Sequence, residues 1–233
     1  ASIRGDIPAN LVHHLKVARL AAEQNTNLII FPELSLTGYE PTLGKQLAIQ
    51  QNDSIFEQLQ ACSNTHNLII GIGVPLKDGA AANIALLLFH PKKARQVYIK
   101  QYLHEDERPF FVSQQNELVF INSTKIGVAI CYELSVEAHT KTAMENGAVM
   151  YLASVAKTAN GIKKSYKRMA EVARENNIPT LMVNSVGPND DFISAGQSAV
   201  WNHKGQLISA LNETQEALLI FNTTSHTTKK YPF

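Results

Sequence analysis

Three residues whose types can carry out covalent chemistry each follow a short apolar run. Cys131 follows Ile-Gly-Val-Ala-Ile, Glu33 follows Leu-Ile-Ile-Phe-Pro, and Lys100 follows Gln-Val-Tyr-Ile. Short runs of this kind are typical of buried strands, so we expect a thiol, a carboxylate and an ammonium at strand ends, where they could form one cluster. A thiolate attacks carbonyl carbon, and charged neighbours can move a proton or stabilise an anion. The pattern therefore predicts nucleophilic acyl transfer.

The sequence offers a residue for each step of such an acyl transfer. A thiol with an ordinary pKa near 8.5 needs an ammonium to favour the thiolate or a carboxylate to take its proton. The oxyanion that forms needs donors aimed at it, which Lys100 and the backbone N–H of Tyr132 could supply. Glu33 could accept the thiol proton and return it to the departing amine. The other cysteine, Cys62, falls on the apolar face of a predicted helix and is expected to be an inert core residue.

The predicted elements that position these residues mix helices and strands. Apolar periodicity and turn residues predict helices over residues 8–24, 54–66, 136–146 and 163–176. The predicted strands cover residues 28–31, 68–74, 83–89, 96–100, 118–122, 126–130, 148–153, 180–184, 197–201, 207–211 and 218–221. Residues 223–233 are expected to form an extended polar tail. Because several strands follow each other directly, two mixed sheets with helices on their outer faces fit better than strict Rossmann winding.

Composition limits the class of protein. The chain has 233 residues, of which 45% are hydrophobic, which suits a single domain over residues 1–233. Its formal net charge of +1 gives no electrostatic reason to expect nucleic acid or membrane as a partner. The apolar stretches are shorter than the roughly 18–20 residues that span a bilayer. Two cysteines without metal-ligand spacing predict a reducing, cytoplasmic location and no bound metal.

Three short segments carry a resemblance to a known family. Phe-Pro-Glu-Leu-Ser-Leu-Thr-Gly-Tyr at 31–39, Tyr-Ile-Lys at 98–100 and Cys-Tyr-Glu at 131–133 resemble, in this order, the signatures of the nitrilase-like carbon–nitrogen hydrolase superfamily. Residues 169–176 and 194–198 resemble its later segments, so the resemblance covers nearly the whole chain. Within the superfamily, the Leu-Thr-Gly-Tyr stretch at 36–39 resembles the amidase branch, namely free-standing predicted amidohydrolases and the glutaminase domains of glutamine-dependent NAD synthetases.

The resemblance implies a fold and an activity. The fold would be α/β, a four-layer α-β-β-α sandwich of two mixed sheets flanked by helices. The activity would be amidase-type hydrolysis of a nonpeptide C–N bond, amide or carbamoyl, in a small molecule, through a thioester on Cys131 with Glu33 and Lys100 completing a triad. It implies no metal or organic cofactor, and a homodimer or higher homo-oligomer. A catalytically silent ligand-binding relative and an acyltransferase using the same thioester remain as alternatives.

The resemblance also implies supporting residues. The family's second carboxylate, between its lysine and its cysteine, matches Glu107, with Glu105 as a nearby competitor. Among the other residues, Tyr39, Tyr132 and Ser154 are the expected substrate-binding residues, although the two tyrosines are equally typical of a core. Ser154 follows a strand expected to end near the cysteine, where it would form one rim of the pocket or part of an ordinary loop. The family's opening strand has no clear counterpart, so residues 1–3 are either its remnant or the strand is missing from the sequence. The substrate itself is not specified.

Overall fold

The computed structural model of the chain describes residues 1–115, 119–121 and 124–233. It contains two compact units, Ser2–Glu117 and Leu118–Phe233, the latter together with Ala1. The first unit holds helices α1 (Ile7–Glu23), α2 (Gly44–Leu47) and α3 (Glu57–His66), strands β1 (Leu28–Ile30), β2 (Ile69–Asp78), β3 (Ala81–Phe89) and β4 (Gln96–Ile99), and 3₁₀ turns at Pro41–Leu43 and Ser54–Phe56.

The sheet of the first unit is mixed and has the order β1-β2-β3-β4. Strand β1 is parallel to β2, while β2, β3 and β4 pair antiparallel. The β2–β3 hairpin turns at Gly79, whose φ of 56° favours glycine, as the Asp-Gly turn signal predicts. The first eight residues of β2 are buried, which explains its continuous apolar sequence.

Helix α1 is amphipathic and begins where its sequence predicts. The carboxylate of Asp6 caps it by accepting from the Ala9 N–H at 3.0 Å, a standard way to satisfy a first-turn donor. Two polar side chains, Asn10 and His14, lie on its buried face among leucine and alanine. Asn10 exchanges two 2.7 Å hydrogen bonds with the backbone of Ile3, and residues 1–3 form no strand. The remnant of an opening strand is therefore not found at these residues.

The second unit contains two longer helices and a second mixed sheet. Its helices are α4 (Glu137–Glu145) and α5 (Ala159–Asn176), and a 3₁₀ turn covers Cys131–Ser135. Its strands are β5 (Val119–Ile121), β6 (Thr124–Ile130), β7 (Met150–Val155), β8 (Thr180–Asn184), β9 (Val186–Pro188), β10 (Ile193–Ala195), β11 (Ala199–Trp201), β12 (Leu207–Ala210), β13 (Ala217–Phe221) and β14 (Thr228–Pro232).

The main sheet of this unit has the order β12-β11-β8-β7-β6-β5, with β6, β7 and β8 parallel and the outer pairs antiparallel. Tyr151 and Trp201 are among its largest fully buried side chains, and α5 packs on it through Met169, Val172 and Ala173. Two mixed sheets with helices confirm the predicted α/β class. None of the helices in the described ranges has the length and apolarity that a bilayer crossing requires.

The end of the chain differs from its prediction in containing one more strand. Strand β13 is not the last, because Thr228–Pro232 pairs antiparallel with it, so the polar tail is partly a strand. Asn222 makes the connecting turn, its side-chain oxygen accepting from the N–H groups of Thr224 and Ser225 at 2.9 Å each. An asparagine that accepts from backbone N–H groups in this way is typical of a turn, so Asn222 is a sequence signal for the β13–β14 hairpin. The short β9–β10 pair was also not predicted.

Two predicted elements differ at their boundaries. Helix α5 begins four residues before its predicted start, because the Thr158 hydroxyl accepts from the Gly161 N–H at 3.3 Å and caps an earlier turn. Of the predicted hairpin strand over 118–122, Leu118, Asn122 and the adjoining Ser123 lie outside the described residues. The remainder, β5, pairs antiparallel with β6.

Acid is expected to destabilise the protein through His14. Burial lowers the pKa of His14 to about 4, against a smaller raising effect of its hydrogen bond to Asn10. The unfolded chain therefore binds a proton that the folded one does not between about pH 6.5 and 4. Stability is fully present above this window and is lost as the pH falls through it, by up to about 3 kcal/mol. Urea unfolding at a series of pH values should show this loss.

The matched variants assign the effect. His14→Phe should reduce the dependence of unfolding free energy on pH within this window. The part that remains comes from His139, whose pKa burial also lowers to about 4. His66→Gln, at an exposed position near the end of α3, should leave the dependence unchanged. An equally steep loss in the His14→Phe protein would assign the acid sensitivity to other groups.

Candidate active site

A fully buried lysine lies between two carboxylates in the first unit. Lys100 directly follows β4, and its Nζ lies 2.7 Å from Glu33 Oε1 and 2.6 Å from Glu107 Oε1. None of the three side chains is more than 1% exposed. The backbone N–H of Lys100 donates to Ile84 O at 2.8 Å, which extends the β3 pairing by one residue and fixes where the side chain begins. The structure thus brings together the predicted Glu33, Lys100 and Glu107.

Glu107 rather than Glu105 is the second carboxylate of this cluster. Glu107 is completely buried, whereas Glu105 is exposed. The other carboxylate oxygen of Glu107 accepts from the His104 N–H at 2.8 Å, and Tyr39 donates its hydroxyl to Oε1 at 2.9 Å. Charge-assisted hydrogen bonds of this length are strong, so Glu107 is held on several sides. Tyr39, predicted to bind substrate, uses its hydroxyl here.

Glu33 sits in a strained turn. The N–H of Ser35 donates to Pro32 O at 3.1 Å and closes the turn, whose third residue, Leu34, has a φ of 49°. A left-handed non-glycine residue costs roughly 1–2 kcal/mol, so other contacts must hold it. Leu34 is buried, with 1% of its surface exposed.

Gly73 of β2 lies directly behind this turn. A Cβ atom built on Gly73 would lie 2.3 Å from Pro32 O, 2.4 Å from Leu34 N and 2.8 Å from the carbonyl carbon of Glu33. These neighbours are backbone atoms, which cannot rotate away as a side chain can. Only glycine therefore lets the turn that carries Glu33 approach the strand.

Gly73→Ala is accordingly expected to displace Glu33. We expect a loss of about 2–3 kcal/mol in unfolding free energy from overpacking and a fall of about 10²-fold in the rate of any reaction that uses Glu33. Gly71→Ala is the matched control on the same strand, because its Cβ would meet Ile30 Cδ1 at 2.5 Å, the movable end of a side chain. Urea unfolding and steady-state kinetics would measure both variants, and equal kinetic losses would contradict this reason.

Cys131 is the first residue after β6 in the second unit. Its φ is 47°, so the nucleophile candidate occupies the left-handed region at the start of the turn Cys131–Ser135. The fully buried carboxylate of Glu133 accepts from the Ile130 N–H at 2.7 Å, which ties the turn to the end of the strand. Strain at a residue of this kind is typical of functional sites. Glu133 thus orients the backbone of this turn.

A side chain from α5 holds the other end of the same turn. Arg168 donates from Nε to Leu134 O and from Nη2 to Thr140 Oγ1, both at 3.2 Å. Thr140 in turn donates to the hydroxyl of Tyr151 at 3.3 Å. Burial lowers the pKa of His139 to about 4, so its Nδ1, 2.8 Å from the Tyr151 hydroxyl, belongs to a neutral ring. Arg168 therefore has a structural role, while its helix neighbours Lys163, Lys164 and Lys167 are exposed on a solvated face.

The remaining predicted residues of this unit differ in exposure. Ser154 is buried and pairs across the sheet with Ile130, and Cys131 Sγ lies 3.9 Å from the carbonyl oxygen of Ala156 just beyond it. The β7 end therefore lies beside the cysteine, as expected. Tyr132 is 37% exposed. Cys62 is buried on α3, and burial raises the pKa of its thiol, which agrees with the prediction of an inert core residue.

Sequence reasoning missed the residues that support the site. His14 and Gly73 hydrogen-bond to Ser35, the last residue of the Glu33 turn. Arg168 donates a hydrogen bond to the Cys131 turn. One signal was available: His14 is spaced with the apolar residues of α1, and a histidine on an apolar face needs a buried partner. The contacts of Gly73 and Arg168 join segments distant in sequence and leave no local pattern.

Comparisons with known proteins place the chain in a family. The model of the carbon-nitrogen hydrolase family matches residues 1–233. The chain is 26% identical over 228 residues to a glutamine-dependent NAD(+) synthetase of Aquifex aeolicus, with 92% of this chain but 39% of that protein covered. It is 26% identical over 226 residues to a probable nitrilase of Schizosaccharomyces pombe, covering 93% and 83%. The chain thus spans well under half of the synthetase's length.

Solved structures show the same fold. The amidase from Nesterenkonia sp. AN1 superposes with a TM-score of 0.83 at 21% identity, covering 92% of this chain and 87% of that one. A CN-hydrolase superfamily protein from Xanthomonas campestris gives 0.83 at 17% identity, covering 100% and 87%. At these identities the likeness concerns the fold, which is that of the nitrilase superfamily. The family model, matched over the entire sequence, shows that the chain belongs to the carbon–nitrogen hydrolase family.

Proposed function

We propose that the protein hydrolyses a nonpeptide C–N bond, amide or carbamoyl, of a small molecule through a thioester on Cys131. The observation that carries the proposal is Lys100, fully buried, with its Nζ at 2.7 and 2.6 Å from two carboxylates. Desolvating three charges is costly, and a buried ion pair is a weak source of stability. Clusters of buried ionisable groups of this kind are concentrated at functional sites.

The nucleophile turn supports the same proposal from its own unit. Cys131 is held in a left-handed conformation by hydrogen bonds on both sides, from Ile130 to the Glu133 carboxylate and from Arg168 to Leu134 O. A buried cysteine that merely packs needs no such arrangement. The strain and its bracing are those of a thiol that must point in one direction.

The proposed reaction assigns each proton and bond. Glu33 accepts the thiol proton as Sγ of Cys131 attacks the carbonyl carbon, and the oxyanion is stabilised by Lys100 Nζ and the N–H of Tyr132. The C–N bond breaks, Glu33 gives its proton to the departing amine or ammonia, and a thioester remains. Glu33 then takes a proton from water, which attacks the thioester, and it returns this proton to Sγ as the C–S bond breaks, releasing the carboxylic acid and the free thiol. Glu107 orients Lys100.

Amide rather than nitrile is the substrate class that the comparisons favour. The structural neighbour is described as an amidase, and structures of its variants show acrylamide, or the acetamide moiety of fluoroacetamide, added to the active-site cysteine. The NAD(+) synthetase relatives are glutamine-dependent. A probable nitrilase is among the relatives, so a nitrile belongs in the panel of substrates as a comparison.

The test combines labelling with product assay. The protein would be incubated with fluoroacetamide and mapped by peptide mass spectrometry, and ammonia release would be measured on short aliphatic amides, glutamine, an N-carbamoyl amine and a nitrile. We expect a fluoroacetamide adduct on Cys131 and ammonia release from at least one amide or carbamoyl compound. We expect no adduct on Cys62, because burial raises the pKa of its thiol, and Cys62 therefore serves as an internal control.

Other results would replace the proposal. A protein that acquires no adduct and releases no ammonia would be a silent ligand-binding relative. One that forms the adduct and releases ammonia, but passes the acyl group to an added amine in preference to water, would be an acyltransferase.

Assembly and location are part of the proposal. We propose a homodimer or higher homo-oligomer in the cytoplasm, on the strength of the family resemblance and of a sequence with only two cysteines. Light scattering coupled to gel filtration would measure the molar mass, for which a monomer of 25.7 kDa is the contradicting result.

A further inference from the structure

The turn that carries Glu33 requires support from outside its own sequence. Within it, Leu34 has a φ of 49°, and the closing hydrogen bond from Ser35 N–H to Pro32 O is 3.1 Å long. One such bond does not compensate the steric strain of a left-handed residue other than glycine. Contacts from α1 and β2 must therefore hold the backbone of this turn, from which the Glu33 carboxylate reaches Lys100 Nζ.

Helix α1 supplies two side chains for this support. Asn10 and His14 are four residues apart, so they lie on one face of the helix, and both are 2% exposed. Asn10 donates from Nδ2 to Leu36 O at 2.9 Å, just beyond the turn. His14 Nε2 lies 2.9 Å from Ser35 Oγ, at the last residue of the turn. The imidazole also packs against Phe31, with ring centroids 4.2 Å apart.

The hydrogen-bond partners fix the tautomer of His14. Its Nδ1 lies 2.5 Å from the carbonyl oxygen of Asn10, which can only accept, so Nδ1 carries the proton. Burial lowers the pKa of His14 to about 4, so the ring is neutral near pH 7 and Nε2 is an acceptor. The Ser35 hydroxyl therefore donates to Nε2, while its oxygen accepts from the Gly73 N–H at 3.2 Å. The result is a directed chain from Gly73 through Ser35 and His14 to Asn10.

We propose that His14 is a positioning residue for Glu33, acting through the Ser35 hydroxyl to hold the turn 32–35 against β2. This inference rests on the proposed function, in which Glu33 is the general base and acid. The neutral, fully buried imidazole uses both of its nitrogens in hydrogen bonds. Burying such a polar ring costs free energy that a leucine packed at this core position would not. The position of His14 one hydrogen bond from the end of the Glu33 turn gives the ring a use.

The test compares two variants of His14, one that can form neither of its hydrogen bonds and one that can restore the bond to Ser35. His14→Phe keeps the ring contact with Phe31 and removes both hydrogen bonds. We expect kcat to fall about 10²-fold on the panel amide that the wild type hydrolyses fastest, with KM changed less than about threefold, because a displacement of 1 Å costs this much in rate. His14→Gln, whose side-chain oxygen can accept from Ser35, should recover about 10-fold of the lost kcat, since it restores a partner for the buried hydroxyl.

Two further variants guard against misfolding as the cause. Ser35→Ala removes the other half of the bond with a smaller change in volume and should lower kcat in the same way. His90→Phe is the matched control, since His90 is also a buried histidine of this unit, but its Nε2 contacts Gln96 at 3.3 Å in the β3–β4 hairpin. It should keep its kcat. Circular dichroism and urea unfolding would confirm that each variant is folded under assay conditions.

The outcomes separate the two proposals. A wild type that neither hydrolyses an amide nor is labelled by fluoroacetamide overturns the proposed function, and this inference with it. An active wild type whose folded His14→Phe and Ser35→Ala variants keep their kcat overturns the inference alone. Equal losses in His14→Phe and His14→Gln, or a loss in His90→Phe as large as in His14→Phe, would also overturn it, because they would assign the effect to packing.

Discussion

Cys131→Ala is expected to lower kcat at least about 10⁴-fold, since removing a covalent nucleophile forfeits the intermediate and all of the assistance aimed at it. Unfolding free energy should hardly change, because alanine in the left-handed conformation at φ 47° is strained as cysteine is. Steady-state ammonia release and urea unfolding measure the two quantities. The expected protein is therefore folded, inactive and unlabelled by fluoroacetamide.

The second cysteine provides the control. Cys62→Ala removes a buried thiol from α3 and should cost stability through a small cavity while leaving kcat unchanged. If Cys131→Ala kept a substantial share of the wild-type kcat, the thioester mechanism would be wrong. If Cys62→Ala lost activity as completely as Cys131→Ala, the assignment of the nucleophile would be wrong.

Lys100→Met is expected to damage both stability and activity. It leaves the carboxylates of Glu33 and Glu107 buried without the ammonium that lies 2.7 and 2.6 Å from them, and breaking a buried ion pair typically costs about 3–5 kcal/mol. The oxyanion also loses a donor, which costs on the order of 10³-fold in kcat. Urea unfolding and ammonia release would measure the two effects.

A double variant separates the two effects. Lys100→Met combined with Glu107→Gln removes one of the two unpaired charges, so it should recover part of the lost stability but none of the lost kcat. Glu107→Gln alone keeps the Lys100–Glu33 pair and should lose less activity than Lys100→Met. If the double variant regained activity along with stability, Lys100 would be a structural cation, and its catalytic role would be excluded.

The sequence predicts which charged residues cluster in the first unit better than it predicts the contacts that hold them in place. Glu33, Lys100 and Glu107 were identified because each stands in a short motif, and the structure places the Lys100 ammonium within 3 Å of both carboxylates. Glu107 and Glu105 could not be separated by spacing, since the choice depends on which side chain a compact turn buries. Folding decides that, through the bonds from His104 and Tyr39 to Glu107.

The errors at the chain's end have a similar physical origin. Strand β14 is polar on both faces and contains two lysines, so its pairing with β13 carries no hydrophobic period. Helix α5 was predicted to begin at Lys163, after the capping threonine at 158 that actually starts it. These two features are fixed by strand pairing and by a side-chain cap, to which side-chain hydropathy is a poor guide.

The left-handed Leu34 makes the Glu33 turn a product of tertiary structure. A peptide copying residues 31–39 would relax out of this conformation, because the restraining atoms belong to α1 and β2, at Asn10, His14 and Gly73. A designer who wished to move Glu33, the general base of the proposed reaction, to another scaffold would have to transplant helix, turn and strand as one block. The smallest part of the protein that can hold Glu33 in this position is therefore α1, the turn and β2 packed together, and the nine-residue motif at 31–39 is not sufficient.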